Sequence, residues 1–180
     1  MARIPYVEAA TLPEAFKNRR LQQNFQRAYA NSPKGSDAYM TIAGYVRDDS
    51  TLDPKLRELA LLQVGHVTKS AYEFTHHVKV ALAAGLTPQQ IAAIPDANAG
   101  RPTGFSPIEL SVLKIAAAVA AGEAVDDETF DFLVTTLGSE HLMDLLFVTA
   151  HYLGMARLLT TLRIDLEDEY RAYLADFPLE

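Results

Sequence analysis

The stretch from Glu58 to His77 gathers three of the chain's five histidines and two carboxylates inside a mostly apolar run. Between Glu58 and Gly65 the only strongly polar side chains are Glu58 and Gln63. A carboxylate on a helix that must be buried needs a cationic or hydrogen-bonding partner, or it stays protonated. Partners stand close by in sequence. On a helix opening at Ser70, Glu73 lies three residues from His76 and four from His77, and Tyr72 lies four from His76. Those spacings put each pair on one helical face. A carboxylate, an imidazole and a phenol beside a buried glutamate are the components of an acid–base site. His76 and His77, as neighbours on a helix, point about 100° apart and are not expected to share one site.

Simpler roles compete for the same residues. Ser70 and Glu73 form the pattern of a capping box, which accounts for both without catalysis. Tyr72 is of the type that packs its ring and wets its hydroxyl. A lone His66 on an apolar helix reads as a core histidine satisfied by a neighbour. The bland reading of Glu58 is an ion pair with a basic residue from another helix. His151 and Tyr152, in the apolar run from Leu145 to Leu159, read as core or subunit contact. Glu73 and His76 also match the Glu-x-x-His of a di-iron bundle, but no second such motif occurs in the chain. No spacing supports a zinc site built from Glu73, His77 and a distant His141 or His151. No metal site is therefore expected.

Helices must position these groups, because helix starts are frequent and strand alternation is absent. Thr11 to Glu14 reads as a capping box opening an amphipathic helix to about Ala30. Asn31 to Gly35 reads as a turn, followed by a helix from Ser36 to Val46. Asp53-Pro54 starts a dense apolar helix, and Ser70 starts the next, which ends near Ala84 with Gly85 in the left-handed position. Thr87 opens a short helix to about Ile94, and Pro95 to Gly104 is a polar linker. Ser106 opens a helix to Ala121, Asp126 caps one to about Leu137, and Ser139 caps a long one to about Leu162. The tail, Leu166 to Leu174, is acidic and helical in pattern. The expected fold class is all-α: a single-domain helical bundle of about eight helices over residues 1–180.

Composition narrows the function classes. The chain has 180 residues, enough for one sizeable core. Its formal net charge is −7 and its basic residues are scattered, the densest spot being Arg19-Arg20, which argues against nucleic acid. With no cysteine, disulfides, thiolate metal sites and thiol redox chemistry are all removed. No signal-peptide core is visible between Met1 and Glu14, and no stretch reads as the roughly 18 apolar residues of a membrane span. The expectation is a cytoplasmic protein with no membrane partner.

The run Arg57-Glu58-Leu59-Ala60, then His66-Val67-Thr68, then Ser70 to His77, followed by Ala83-Ala84-Gly85-Leu86-Thr87 and Gln90-Ile91, resembles the carboxymuconolactone decarboxylase and alkylhydroperoxidase D-like superfamily. The likeness covers about 40 residues, Pro54 to Ile94 (signature segment 54–94). The peroxidase branch carries a glutamate, a Cys-x-x-Cys twelve residues later, and a histidine four beyond the second cysteine. On this chain those positions fall on Glu58, Ser70, Glu73 and His77, and a histidine between the cysteines falls on Tyr72. Serine and glutamate cannot cycle through sulfenate and disulfide, so thiol peroxidase activity is not implied.

The cysteine-less decarboxylase branch is closer. Its resemblance implies a cofactor-free carboxy-lyase acting on a small carboxylated lactone or related acid. His77 would then donate the proton, Glu58 would orient or charge it, and Tyr72 would serve as the third catalytic group. His66, Glu73, Ser70 and His76 would contact substrate. A cation for the substrate carboxylates is missing from the motif, leaving Arg57, Lys69 or a residue of another subunit. The alternative is a non-catalytic relative that binds a small molecule or partner. The resemblance also implies a homo-oligomer, trimer or hexamer.

Overall fold

The computed structural model describes residues 1–19 and 21–179; Arg20, half of the basic pair, lies outside the described residues. Among those residues there are nine α-helices and no strand: α1 (Asn24–Tyr29), α2 (Pro33–Asp48), α3 (Pro54–Thr68), α4 (Ala71–Ala83), α5 (Pro88–Ala92), α6 (Ile94–Asn98), α7 (Pro107–Ala121), α8 (Asp127–Leu162) and α9 (Arg171–Asp176).

The bundle is organised around α3. Asp53 caps it through Lys55 N–H, and Pro54 takes its first turn, where no backbone donor is needed. From Leu56 to Gly65 only Arg57 escapes full burial, because α4, α7 and α8 all pack on this helix. Leu59, Leu62, Phe74, Val78, Ile94, Val112, Leu133 and Leu145 meet in one core.

The turn from α3 to α4 is tight. Lys69 adopts the left-handed conformation (φ 52°). Ser70 N–H donates to Gly65 O at 3.0 Å and Lys69 N–H to His66 O at 3.2 Å, which closes the helix end. At Gly65 the helices touch: a Cβ there would stand 2.9 Å from the Phe74 Cα. Glycine is required at this position for close approach, and the approach brings Glu58 within reach of α4.

Several elements differ from the sequence expectation. The capping box at Thr11 does not form. Thr11 Oγ1 donates back to Glu8 O, Glu14 pairs with Lys17, and two single 3-10 turns, Ala9–Thr11 and Glu14–Phe16, precede a short α1. Between Lys17 and Gln23 Leu21 is the one apolar residue of the sequence, which makes no apolar stripe to bury. The expected turn at Asn31 to Gly35 already contains the start of α2, since Pro33 suits a first helical turn. The linker from Pro95 contains most of α6. The tail forms a 3-10 turn, Asp168–Tyr170, and then α9. Nine helices among the described residues agree with the expectation of about eight. The two expected helices after Asp126 run as one element interrupted at Gly138, whose φ of 78° and ψ of 162° break the helical path.

By length and composition α8 is apolar enough to cross a bilayer, contrary to the sequence expectation. Yet Leu142, Leu145, Val148, Met155 and Leu159 are buried within the protein, as in a core helix. The chain ends are tied together: the Met1 ammonium meets Asp165 at 3.0 Å, and Arg3 N–H donates to Leu162 O at 2.8 Å.

Gly65→Ala is expected to lower stability by about 1–3 kcal/mol through overpacking against Phe74. Gly44→Ala, where an added Cβ meets nothing within 4 Å, should instead raise it by about 0.5–1 kcal/mol. Urea midpoints of the two variants check the pair; equal midpoints would remove the close-approach argument.

Candidate active site

A cavity of about 520 Å³ opens between α2, α3, α4 and α8, roofed by α1 and the tail. Glu58 and Arg57 reach it from α3. Glu73, His76 and His77 reach it from α4, and Tyr152 from α8.

His77 is the centre of the site. Its Nδ1 donates to Glu58 Oε2 at 2.7 Å, and its Nε2 faces Glu73 Oε1 at 3.3 Å. On the far side of Glu58, Arg57 Nε donates to Oε1 at 3.0 Å, while Arg57 Nη1 donates to Val46 O at 3.1 Å. The result is a buried chain of alternating charge: guanidinium, carboxylate, imidazolium, carboxylate. Burial alone would push His77 down, but Glu58 and Glu73 outweigh it and raise its pKa to about 10. Burial would push the Glu58 carboxyl up, but His77 and Arg57 hold it below its ordinary value. The Tyr152 ring meets His77 edge-on at 4.8 Å, and burial raises its hydroxyl pKa.

Ser70 caps α4 as expected, its Oγ accepting from Glu73 N–H at 3.5 Å. Glu73 does not complete a capping box. Its carboxylate turns to His77 instead, because an imidazolium is a stronger partner than a backbone amide.

His76 and His77 line the same cavity, contrary to the expectation that they would not share a site. They belong to separate networks within it. His76 is stacked between Tyr72 (4.2 Å) and Tyr170 (3.7 Å). Its Nδ1 donates to Tyr72 O at 2.8 Å. Its Nε2 faces Glu167 Oε2 at 3.2 Å without hydrogen-bond alignment. Burial lowers the His76 pKa, so this ring is the harder of the two to charge. Tyr72 lines the cavity with its ring, but its hydroxyl is committed: it donates to Glu167 Oε1 at 2.7 Å and accepts from Phe25 N–H at 3.3 Å.

His66 is not at this site. It lies on the opposite side of α3, in a second depression with Gln63, Asn98 and Lys69. Lys69, a candidate cation for substrate, is there as well. Of the sequence candidates, Glu58, Tyr72, Glu73, His76 and His77 are brought together; Ser70 serves the backbone and His66 is elsewhere.

Four participants escaped the motif: Arg47, Tyr152, Glu167 and Tyr170. Glu167 also accepts from Asn24 N–H at 2.6 Å, so it ties the tail to α1 and α4 at once. Nothing in an acidic tail marks that one carboxylate. Among the described residues no group of three or more His, Asp and Glu could hold a metal ion. His141 instead meets Thr51 Oγ1 at 2.8 Å.

Rings form a contact path around the site. It runs Tyr170, His76, Tyr72, Phe25, Tyr29, Tyr39, His151, Tyr152 and His77, with successive centroids from 3.7 to 6.4 Å apart. Aromatic pairs of this kind stiffen a wall beyond their burial alone.

Residues 33–118 match the sequence model of the Carboxymuconolactone decarboxylase family. No curated protein matches the chain significantly in sequence. Among solved structures, an uncharacterised peroxidase-related protein with an alkylhydroperoxidase AhpD core, from Ralstonia eutropha JMP134, superposes with a TM-score of 0.78 at 20% identity, covering 99% of this chain and 98% of that one. A protein of unknown function from Agrobacterium tumefaciens, provisionally assigned to AhpD-type antioxidant defence, gives 0.70 at 20% identity over 78% and 95%. The debrominase Bmp8, as a Cys-to-Ala variant holding 2,3,4-tribromopyrrole, gives 0.73 at 15% identity over 85% and 81%. At these identities the likeness establishes the fold, an all-helical AhpD-like one.

The charge chain sets a pH profile. The His77 pKa is raised on folding, so its contribution is full below about pH 6.5 and is lost as pH rises through about 10. Glu58 is lowered, so its contribution is present above the ordinary carboxylate pKa and is lost as pH falls below it. Unfolding free energies from urea titrations should be highest between these limits and decline by a few kcal/mol toward pH 10. Glu58→Gln should cost about 3–5 kcal/mol at neutral pH and flatten the alkaline decline. An alkaline limb as steep in Glu58→Gln as in wild type would contradict the assignment.

Proposed function

We propose, for a chain that carries the carboxymuconolactone decarboxylase signature on an AhpD-like fold without a single cysteine, that the cavity is the active site of a cofactor-free acid–base enzyme. The reaction type is that of a carboxy-lyase, and the substrate a small unsaturated ring acid such as a carboxylated lactone. One observation carries the reading: His77 is held by carboxylates at both nitrogens in the wall of a ligand-sized cavity.

That geometry shifts the roles given by the motif. Both His77 nitrogens are engaged, so the group presented to a ligand is Glu73, with His77 and Glu58 behind it. As the substrate's carboxylate leaves as CO2, the bonding pair enters the ring system as a dienolate. Glu73, taking the proton from His77 Nε2, delivers it to the ring carbon. Glu58, held ionised by Arg57, and Glu73 keep His77 charged until that transfer, and water later restores the proton. The apolar walls, Met40, Val46, Leu61, Val148 and Met155, strengthen each charge interaction by excluding water. Support for a small unsaturated ring comes also from the debrominase of the same fold, which holds a brominated pyrrole. Self-association is a separate proposal, supported by the exposure of Met143, Phe147 and Leu158 at helical spacing on α8.

The test is loss of ultraviolet absorbance from 4-carboxymuconolactone with CO2 release followed in parallel. Glu73→Gln is expected to lower kcat by about 100-fold or more with the fold intact by circular dichroism. His77→Gln should lower it comparably. Turnover by folded wild type that survives Glu73→Gln would remove Glu73 from the proton path. No turnover of this or related ring acids would leave a binding protein.

A further inference from the structure

The cavity's charge runs against that of the whole molecule. The protein carries a formal −7, yet the cavity is lined by Arg47, Arg57, Lys79 and a charged His77 against only Glu58 and Glu73. The inner charges cancel among themselves, Arg57 and His77 against the two carboxylates. What remains is at the rim. Lys79 is exposed on the last turns of α4 and makes no ion pair among the described residues; its ammonium lies 5.8 Å from the Tyr170 ring centroid. Arg47, on the last turn of α2, is ion-paired among the described residues with its neighbour Asp48 alone, and both side chains are more than half exposed. Asp48 holds the Arg47 guanidinium bidentately, Nε to Oδ1 at 2.9 Å and Nη2 to Oδ2 at 2.7 Å, but the pair is open to solvent, so an incoming carboxylate competes with Asp48 for it. A cleft whose unbalanced charge is positive concentrates anions at its mouth, whatever the net charge of the protein.

We propose that Lys79 and Arg47 form an anion-recognising rim that fixes which way a ligand enters. The ligand is a small ring-bearing carboxylate, bound with an anionic group at the rim and its ring inward among Phe25, Tyr72, Tyr152 and Met155. This assignment rests on the reading of the cavity as a ligand site. It supplies the cation missing from the sequence motif, from α2 and from beyond the motif's histidines on α4. The orientation follows from the charges. An anionic group pushed inward would meet Glu73 and Glu58, while the same group at the rim meets two cations and leaves the ring carbons against Glu73. Arg47 and Lys79 are thus specificity-determining rather than catalytic.

Calorimetric titration of the full chain with benzoate and with its neutral isostere benzamide tests this without turnover. Benzoate is expected to bind about fivefold to tenfold more tightly than benzamide at low salt, with the preference shrinking at high salt because the rim is exposed. The double variant Lys79→Gln with Arg47→Gln should lose the preference while binding benzamide as before. Glu73→Gln should keep it. Equal binding of the two probes, no benzoate binding up to about 10 mM, or an unchanged preference in the double variant would overturn the rim. Turnover supplies the separate check. An inactive protein that still prefers benzoate through Lys79 and Arg47 loses only the catalytic reading. An active one whose KM ignores both substitutions loses only the rim.

Discussion

The structure depends on one buried imidazolium. His77 holds a carboxylate at each nitrogen, Glu58 from α3 and Glu73 from its own helix, and Arg57 closes the chain of charge. Burying such groups is costly, and attraction repays that cost only when the geometry is close and every donor is used. The geometry comes from an apolar detail. Gly65 lets the Phe74 backbone approach α3, and the left-handed turn at Lys69 reverses the chain in the fewest residues. Without that approach Glu58 would lose His77 and keep only Arg57 beside it. The core of α3, α4, α7 and α8 therefore serves as a clamp that sets one distance.

The motif positions acquire a physical meaning from this arrangement. In the resemblance, Ser70 and Glu73 stand where the peroxidase branch carries thiols. The glutamate and histidine retained here are of a kind that can manage protons. In this chain Glu58 and His77 meet a carboxylate, Glu73, at the position where the resemblance places the second thiol. The match over residues 33–118 and the AhpD-like fold account for the scaffold, and the buried charge chain is built on it.

Much of this is legible in the sequence. Pro at the first turns of α3 and α7, the caps at Asp53 and Ser70, and the break at Gly138 are local signals, and local signals survive into the fold. Glu58 stood out because an acid in an apolar run requires a partner. What failed was the choice between partners. Ser-x-x-Glu explains Glu73 as a cap, and only the position of His77 relative to α3 shows the carboxylate turning away. The angle between His76 and His77 was right as helix geometry, but a cavity wide enough to be lined by both does not follow from one helix. Glu167 and Arg47 were invisible because they act across the fold, from a tail and from α2, with no periodicity to betray them.

The path of rings around the site has an optical consequence. The chain has eight tyrosines and no tryptophan. Five of the eight, Tyr29, Tyr39, Tyr72, Tyr152 and Tyr170, belong to that path. Three of them, Tyr72, Tyr152 and Tyr170, line the cavity, so part of the protein's near-ultraviolet emission comes from phenols beside it whose surroundings are fixed by packing. With no indole to drain the excitation, the protein carries its own label for whatever enters.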